Sequence, residues 1–350
     1  VSPSDEPETC LDFYQTRLDS HLRDWLPDLK GASHIERIGG GQSNPTYFLT
    51  YENAELVLRK RPVGDLLPSA HAVDREYRVQ RAVTQHGVLV PRMRFFEADT
   101  SVIGTAFYIM DRMGGVVDQD SRLTNRPKAQ RRGIYSHMAE MLARVHSVDI
   151  AAAELSDFGK HGNFFQRQIA RWTKQWELSR DGEQAAFVVL ADWLPRHSPQ
   201  DDLTTLVHGD FRTGNVMLHP TEPQVTAVLD WELSTLGHPM ADLAHTCAFT
   251  WFISQDEYGG LFDVDLVALD LPTMGDFVED YIRASGRSER LSRFHLAFAL
   301  FRSAVIFEGI ADRARRGNAA SPDAEAVGRI APKLAERGAA LIEGDNTDLP

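Results

Sequence analysis

Cysteine is scarce in this 350-residue chain. Only Cys10 and Cys247 occur, far apart and without metal-type spacing, so a reducing compartment is the simplest reading. Positive charge is also in deficit. The formal net charge is -13, which makes the chain a poor general binder of nucleic acid or of an anionic membrane, since both need a basic surface. No uninterrupted apolar run approaches the ~20 residues of a membrane helix. Internal repeats and low-complexity segments are missing too. The first residues, VSPSDEPETC, are polar and acidic, unlike a signal or transit peptide. Together these absences lead to the expectation of a soluble, cytoplasmic protein with neither nucleic acid nor membrane as partner.

What remains is an ordinary globular profile, 43% hydrophobic and 25% charged, long enough for one large domain or two lobes. Leu11, Tyr14, Leu18, Leu22 and Trp25 recur at helical spacing up to Pro27. The runs HIERIG, PTYFLTYE, AELVLRK, RMRFFEAD and TAFYIMDRM read as strands, with one helix inserted over 72–86. MGG at 113–115 reads as a hinge. Beyond it the period changes to helices, with Ile134, Tyr135, Met138, Met141, Leu142 and Val145 forming one apolar face. Helices are also expected over 163–178, 184–194 and most of 239–343. The class is α+β: a small β-rich lobe over 1–112, then a larger, mainly helical lobe over 113–350. A cleft between lobes is the expected ligand site.

Four stretches carry chemistry. RIGGGQSNPTYFLTY places consecutive glycines, including Gly40 and Gly41, between two strands, with Ser43 and Asn44 as side-chain donors at the tip. Such a turn can cradle an anion with its backbone N–H groups; the plainer alternative is a flexible hairpin. No GK[ST] follows, so it is not a Walker A loop. In LVLRK, alternation puts Arg59 and Lys60 on opposite faces of a strand, and Glu76 in the next helix can pair with one of them. Arg59 is favoured as the phosphate-side cation and Lys60 remains open. LVHGDFRTGNVMLHP sets Asp210 and Asn215 at the D-x-x-x-x-N spacing of a kinase catalytic loop. In such a unit the aspartate accepts the proton of a reacting hydroxyl and the asparagine oxygen binds magnesium. Asp230 ends the apolar strand VTAVL and is a candidate second metal ligand. His208 is expected to hold the loop by packing and hydrogen bonding, and Asp242 to brace the loop after Asp230.

On HGDFRTGNV, AVLDWE and GHPMADLA, the chain resembles the aminoglycoside phosphotransferase and choline kinase-like family. GGGQSNPTYFL, LVLRKRP, LLPSAHAVDREYRV and GNFFQRQIARW are similar to the kinase-like domain found fused to acyl-CoA dehydrogenases. The resemblance spans about residues 30–340. It implies a bilobal protein-kinase-like fold and an ATP- and Mg2+-dependent transfer of the γ-phosphoryl group to a small-molecule hydroxyl. Asp210 would be the base, with Asn215 and Asp230 holding the metal. Ser43 and Asn44 would cover the phosphates, Glu76 would pair with the strand cation, and Met110, Arg112 and Met113 would meet the adenine. Many relatives carry Lys where Arg59 stands, a change of reach and hydration.

No long activation loop follows Asp230 and no APE occurs, which disfavours a protein kinase. The stretch expected to wall the acceptor pocket offers Arg167, Arg171 and Lys174 with Trp172 and Trp176. Arg302 and Arg313 follow in FRSAVIFEGIADRARRGN, and Trp231 and Glu232 come directly after the metal aspartate. A cationic, aromatic wall suits an anionic, partly apolar acceptor such as a hydroxy acid or its CoA ester. An antibiotic phosphotransferase and a catalytically silent nucleotide-binding protein are the alternatives. His208, His219, His238 and His245 lack the spacing of a zinc motif.

Overall fold

The computed structural model describes residues 11–38, 44–63, 71–201, 203–317 and 324–343. Its contacts cluster into two compact units, residues 1–84 with 90–114, and residues 85–89 with 115–350.

The first unit runs α1 (Gln15–Trp25), β1 (His34–Arg37), β2 (Thr46–Thr50), β3 (Glu55–Lys60), α2 (Val73–Thr84), β4 (Met93–Glu97) and β5 (Phe107–Asp111). The strands form one antiparallel sheet in the order β1-β2-β3-β5-β4. In β2 the buried Tyr47 and Leu49 alternate with more exposed neighbours, the period-2 pattern of a half-buried strand. The central strand β3 is buried almost throughout, because side chains cover both of its faces. Leu56 and Leu58 join Leu18 and Leu22 of α1 in one apolar cluster. The helix starts later than the apolar spacing suggested: Tyr14 is its N-cap and is exposed, as is Trp25.

The second unit begins with α3 (Lys128–His146), α4 (Phe164–Ser179) and α5 (Ala185–Arg196). It continues through β6 (Thr205–Val207), β7 (Val216–Leu218), β8 (Val225–Val228) and β9 (Thr235–Gly237). Then come α6 (Pro239–Trp251), α7 (Gln255–Tyr258), α8 (Leu266–Leu269), α9 (Met274–Ser285), α10 (Arg293–Arg315), α11 (Ala324–Gly328) and α12 (Ile330–Glu343). All six residues expected on the apolar face of α3 are buried. The strands pair as two short antiparallel ladders, β6 with β9 and β7 with β8. Helix α10 is the axis of this unit and packs against α4, α5, α6, α11 and α12. By length and composition it could cross a membrane, but 78% of its most apolar window is buried inside the fold, as befits a core helix.

Helix α6 positions the site. Pro239 opens it at N1, where its missing N–H costs nothing, and the His238 ring caps it by accepting from Met240 N. Every residue of α6 except Phe249 is buried. Three of its polar members, Asp242, His245 and Thr246, sit beside the turn after β6 and need partners inside the protein. They find them in the turn after β6.

Candidate active site

The turn between β6 and β7 carries Asp210 and Asn215. Gly209 adopts φ +87°, and a Cβ there would lie 2.5 Å from the Leu233 carbonyl oxygen, so only glycine fits. The chain then closes a 3-10 turn, Thr213–Asn215, and enters β7. Asn215 donates from Nδ2 twice, to the Asp210 carbonyl oxygen at 2.8 Å and to Asp210 Oδ2 at 2.7 Å. This fixes the amide with its nitrogen toward Asp210 and its oxygen turned away. Strand β8 runs back beside β7, with Val216 opposite Val228, and Leu229 N donates to the Asn215 carbonyl at 2.8 Å. Asp230 follows in the left-handed region, φ 62° and ψ 65°, as the N-cap of the second 3-10 turn. Aspartate tolerates that conformation better than most residues, and such backbone settings cluster at functional sites. The spacing in the sequence thus becomes proximity: Asn215 and Asp230 flank the same end of one two-stranded ladder.

The Asp210 carboxylate is held from both sides. Oδ1 lies 2.9 Å from His245 Nε2, Oδ2 takes the Asn215 bond, and Arg212 Nε stands 3.7 Å from Oδ2. Burial by itself would raise this carboxyl's pKa. The hydrogen bond from His245, with the charge of Arg212, outweighs burial and holds it well below the usual carboxylate range. His208 is fully buried and ties the turn to β8, with Nε2 2.9 Å from the Leu229 carbonyl and Nδ1 accepting from Asp210 N at 3.3 Å. Asp242 accepts from His208 N at 2.7 Å and Gly209 N at 2.9 Å, while His146 Nε2 lies 3.2 Å from its Oδ2. It therefore braces the loop before Asp210, not the loop after Asp230 as the sequence suggested. Here too burial pushes the pKa up, and the bonds from His146 and the backbone bring it down to about 2.

In the first unit, Arg59 Nε lies 2.7 Å from Glu76 Oε2. Lys60 faces the opposite side of β3, fully buried, and pairs with Asp12. The geometry thus joins Arg59, not Lys60, to the helix glutamate. Tyr108 donates to Glu76 Oε2 at 3.1 Å, and Asn44 Nδ2 donates to its other oxygen. Asn44 Oδ1 meets His71 Nδ1 at 3.1 Å. Asn44 is buried and its amide is used within the unit, so it is not the donor at a loop tip that the sequence suggested. Gly40, Gly41 and Ser43 lie outside the described residues. Met110 lies in β5 opposite Val57, and Arg112 covers the Phe48 ring at 3.9 Å, with Met113 half-buried beyond it.

The expected acceptor wall is only partly assembled. Arg171 is exposed on α4 and lies 5.1 Å over the Trp172 ring; Arg302 of α10 lies 5.7 Å over the same ring. Arg302 is no surface group. It donates to His245 Nδ1 at 3.0 Å and to the Gly209 carbonyl at 2.9 Å. Arg167 donates to the carbonyls of Lys160 and His161, binding the chain before its own helix. Trp231 is buried and gives its indole N–H to the Val228 carbonyl at 3.0 Å, which removes it from the wall. Trp176 is likewise buried, stacked on Phe187. Glu232 and Arg313 are exposed. Tyr108, His146 and His245 were not read from the sequence as site residues, and Arg302 was expected on the acceptor wall, not behind Asp210. Each acts across a long stretch of chain that spacing rules do not span.

A five-stranded antiparallel sheet with one inserted helix, and a helical unit carrying D-x-x-x-x-N before a strand-end aspartate, define the class: a kinase-like phosphotransferase fold. The chain matches the phosphotransferase enzyme family over residues 34–294 and belongs to it. It is 39% identical over 325 residues to acyl-CoA dehydrogenase family member 10 of Mus musculus. That match covers 92% of this chain and 30% of the mouse protein, so the chain spans about a third of that relative's length. A solved protein of Ralstonia eutropha JMP134, described provisionally as an aminoglycoside phosphotransferase, is 41% identical with a TM-score of 0.86, covering 95% of this chain and 98% of its own. A thermostable mutant of the aminoglycoside phosphotransferase APH(4)-Ia, in ternary complex with AMP-PNP and hygromycin B, shares the fold at 16% identity. Its TM-score is 0.60, with 93% of this chain and 100% of that chain covered.

Proposed function

We propose that this phosphotransferase moves the γ-phosphoryl group of ATP to the hydroxyl of an anionic small molecule, a hydroxy acid or hydroxyacyl-CoA, with magnesium as cofactor. The observation that carries this reading is the Asp210 carboxylate, ionised and oriented by His245 and Asn215. Its low basicity decides how it works. A carboxylate held this far below neutrality orients the hydroxyl and takes its proton only as the new O–P bond forms and the bond to the ADP oxygen breaks.

The residues fit magnesium. Both protons of the Asn215 amide nitrogen point at Asp210, and Oδ1 takes no hydrogen bond among the described residues. With the Asp230 carboxylate it makes a pair of hard oxygen donors, the type this ion prefers. Magnesium held by that pair would neutralise charge on the nucleotide phosphates. Arg59, braced by Glu76, is the cation proposed for the phosphates. AMP-PNP in the APH(4)-Ia complex supports a nucleoside triphosphate as donor.

Two observations support an anionic acceptor. Arg171 and Arg302 both lie against Trp172, which is a poor setting for a polycation. The mouse relative is a member of the acyl-CoA dehydrogenase family, so a phosphotransferase domain in one chain with such an enzyme would meet acyl-CoA-type molecules. An ADP-release screen with Mg-ATP over hydroxy acids, hydroxyacyl-CoAs, choline-like alcohols, sugars and aminoglycosides tests the reading. Turnover should centre on the anionic acceptors and fall by about 10^2–10^4-fold in Asp210→Ala. Turnover confined to polycations would sink the acceptor class. No turnover together with no Mg-ATP binding would sink the enzyme.

A further inference from the structure

Arg302 on α10 and His245 on α6 stand behind Asp210 in a single line of contacts. Arg302 Nη1 is 3.0 Å from His245 Nδ1, and His245 Nε2 is 2.9 Å from Asp210 Oδ1. A guanidinium has donors only and never loses its charge, so the nitrogen it faces must be an acceptor. Nδ1 therefore carries no proton, and the one proton of the ring sits on Nε2, aimed at the carboxylate. The alternatives fail on the same geometry. The Nδ1–H tautomer would press N–H against N–H at one end and a lone pair against a carboxylate oxygen at the other. A doubly protonated ring would also set two cations 3.0 Å apart.

We infer that Arg302 and His245 are positioning residues for the phosphoryl transfer: Arg302 locks the His245 tautomer, and His245 fixes the rotation of the Asp210 carboxylate. The inference rests on the function proposed above. Three further features support it. Arg302 also donates to the Gly209 carbonyl at 2.9 Å, while Asp242 takes the Gly209 N–H at 2.9 Å, so α10 and α6 hold the two peptides that flank the Gly209 Cα. His245 is buried against Phe249, with ring centroids 4.6 Å apart, which leaves the imidazole little room to flip. Burial also disfavours the charged ring, in keeping with a neutral imidazole. Without this line of donors, Oδ1 would lose its hydrogen bond, and the carboxylate would keep only the Asn215 bond and the Arg212 charge, both at Oδ2.

The direct test is the 15N spectrum of the full chain labelled at histidine, at pH 7.5, with the His245 signals assigned by their loss in His245→Gln. The expected result is a neutral Nε2–H tautomer in the wild type and a mixture of tautomers in Arg302→Met. A wild-type Nδ1–H tautomer, or an unchanged pattern in Arg302→Met, overturns the inference whatever the activity. The kinetic test is ADP release from Mg-ATP with the hydroxy-acid and hydroxyacyl-CoA panel. His245→Leu should lower kcat roughly 100-fold with KM for Mg-ATP unchanged, as a misplaced catalytic group does. His245→Gln, which restores an N–H near Nε2, should recover most of that loss. Equal losses in Leu and Gln variants that melt like the wild type would assign His245 to packing alone. Failure of the proposed function would look different: no turnover by the wild type, with the tautomer test still readable.

Discussion

At the scale of single residues, Asp242 shows how much of the site depends on one buried carboxylate. It receives the N–H groups of His208 and Gly209 and the His146 ring. Asp242→Asn keeps the shape but turns an NH2 toward at least one of these donors. We expect a loss of about 3 kcal/mol, read from the urea midpoint, because a buried donor is left unpaired. Phosphotransfer should fall with it, since Gly209 adjoins Asp210. An unchanged midpoint would mean that water replaces the carboxylate. The sequence made Asp210, Asn215 and Asp230 legible because short turns and one hairpin join them. His245 meets Asp210 from 35 residues away and Arg302 meets His245 from 57, and no periodicity encodes such contacts. Asn44 and Trp231 misled for a related reason. Their positions in the motifs are right for a ligand, but burial turns their side chains to partners that only the fold supplies.

Among the elements, the long periodic ones were legible and one of the shortest, β9, was not. Helix α3 and the five strands of the first unit follow their apolar patterns closely. Strand β9 has three residues, too few to show a period, and it exists because β6 offers it a ladder. Helix α9 illustrates the local signals that do survive. Thr273 caps it by accepting from Asp276 N at 3.1 Å, and the Asp276 carboxylate accepts in turn from Thr273 N at 2.9 Å. Thr273→Ala should cost about 1 kcal/mol of stability in denaturant titration. Helix α9 packs on α3 and contributes no residue to the Asp210 turn, so ADP release by the folded variant should match the wild type. A kinetic defect would show that α9 reaches the turn through the Tyr281–His146–Asp242 line, whose first contact is 2.7 Å.

For the whole molecule, two electrostatic effects predict opposite responses to acid. Lowering the pH from 7 toward the pI of about 5.5 removes the net charge of -13, and this relief of repulsion favours the folded chain. Against it stand four buried histidines that resist protonation. His146, His238, His245 and His295 all have pKa values lowered by burial from 6.5, His295 to about 3. Below pH 6.5 the unfolded chain binds protons at these rings that the folded chain refuses, so stability is lost as pH falls. Each ring weakens the fold by up to about 1.4 kcal/mol per pH unit in that window. Exposed surface charges are screened over about 8 Å at physiological salt and are individually worth less. The histidines should win, and the urea midpoint should fall steadily from pH 7 to pH 5.5. His295 offers the control. Its Nδ1 accepts from Ser292 N at 3.1 Å at the start of α10, and an asparagine oxygen can take that bond without titrating. His295→Asn should flatten the pH slope by about one proton's worth. A midpoint that rises toward pH 5.5 would show that relief of the net charge governs instead.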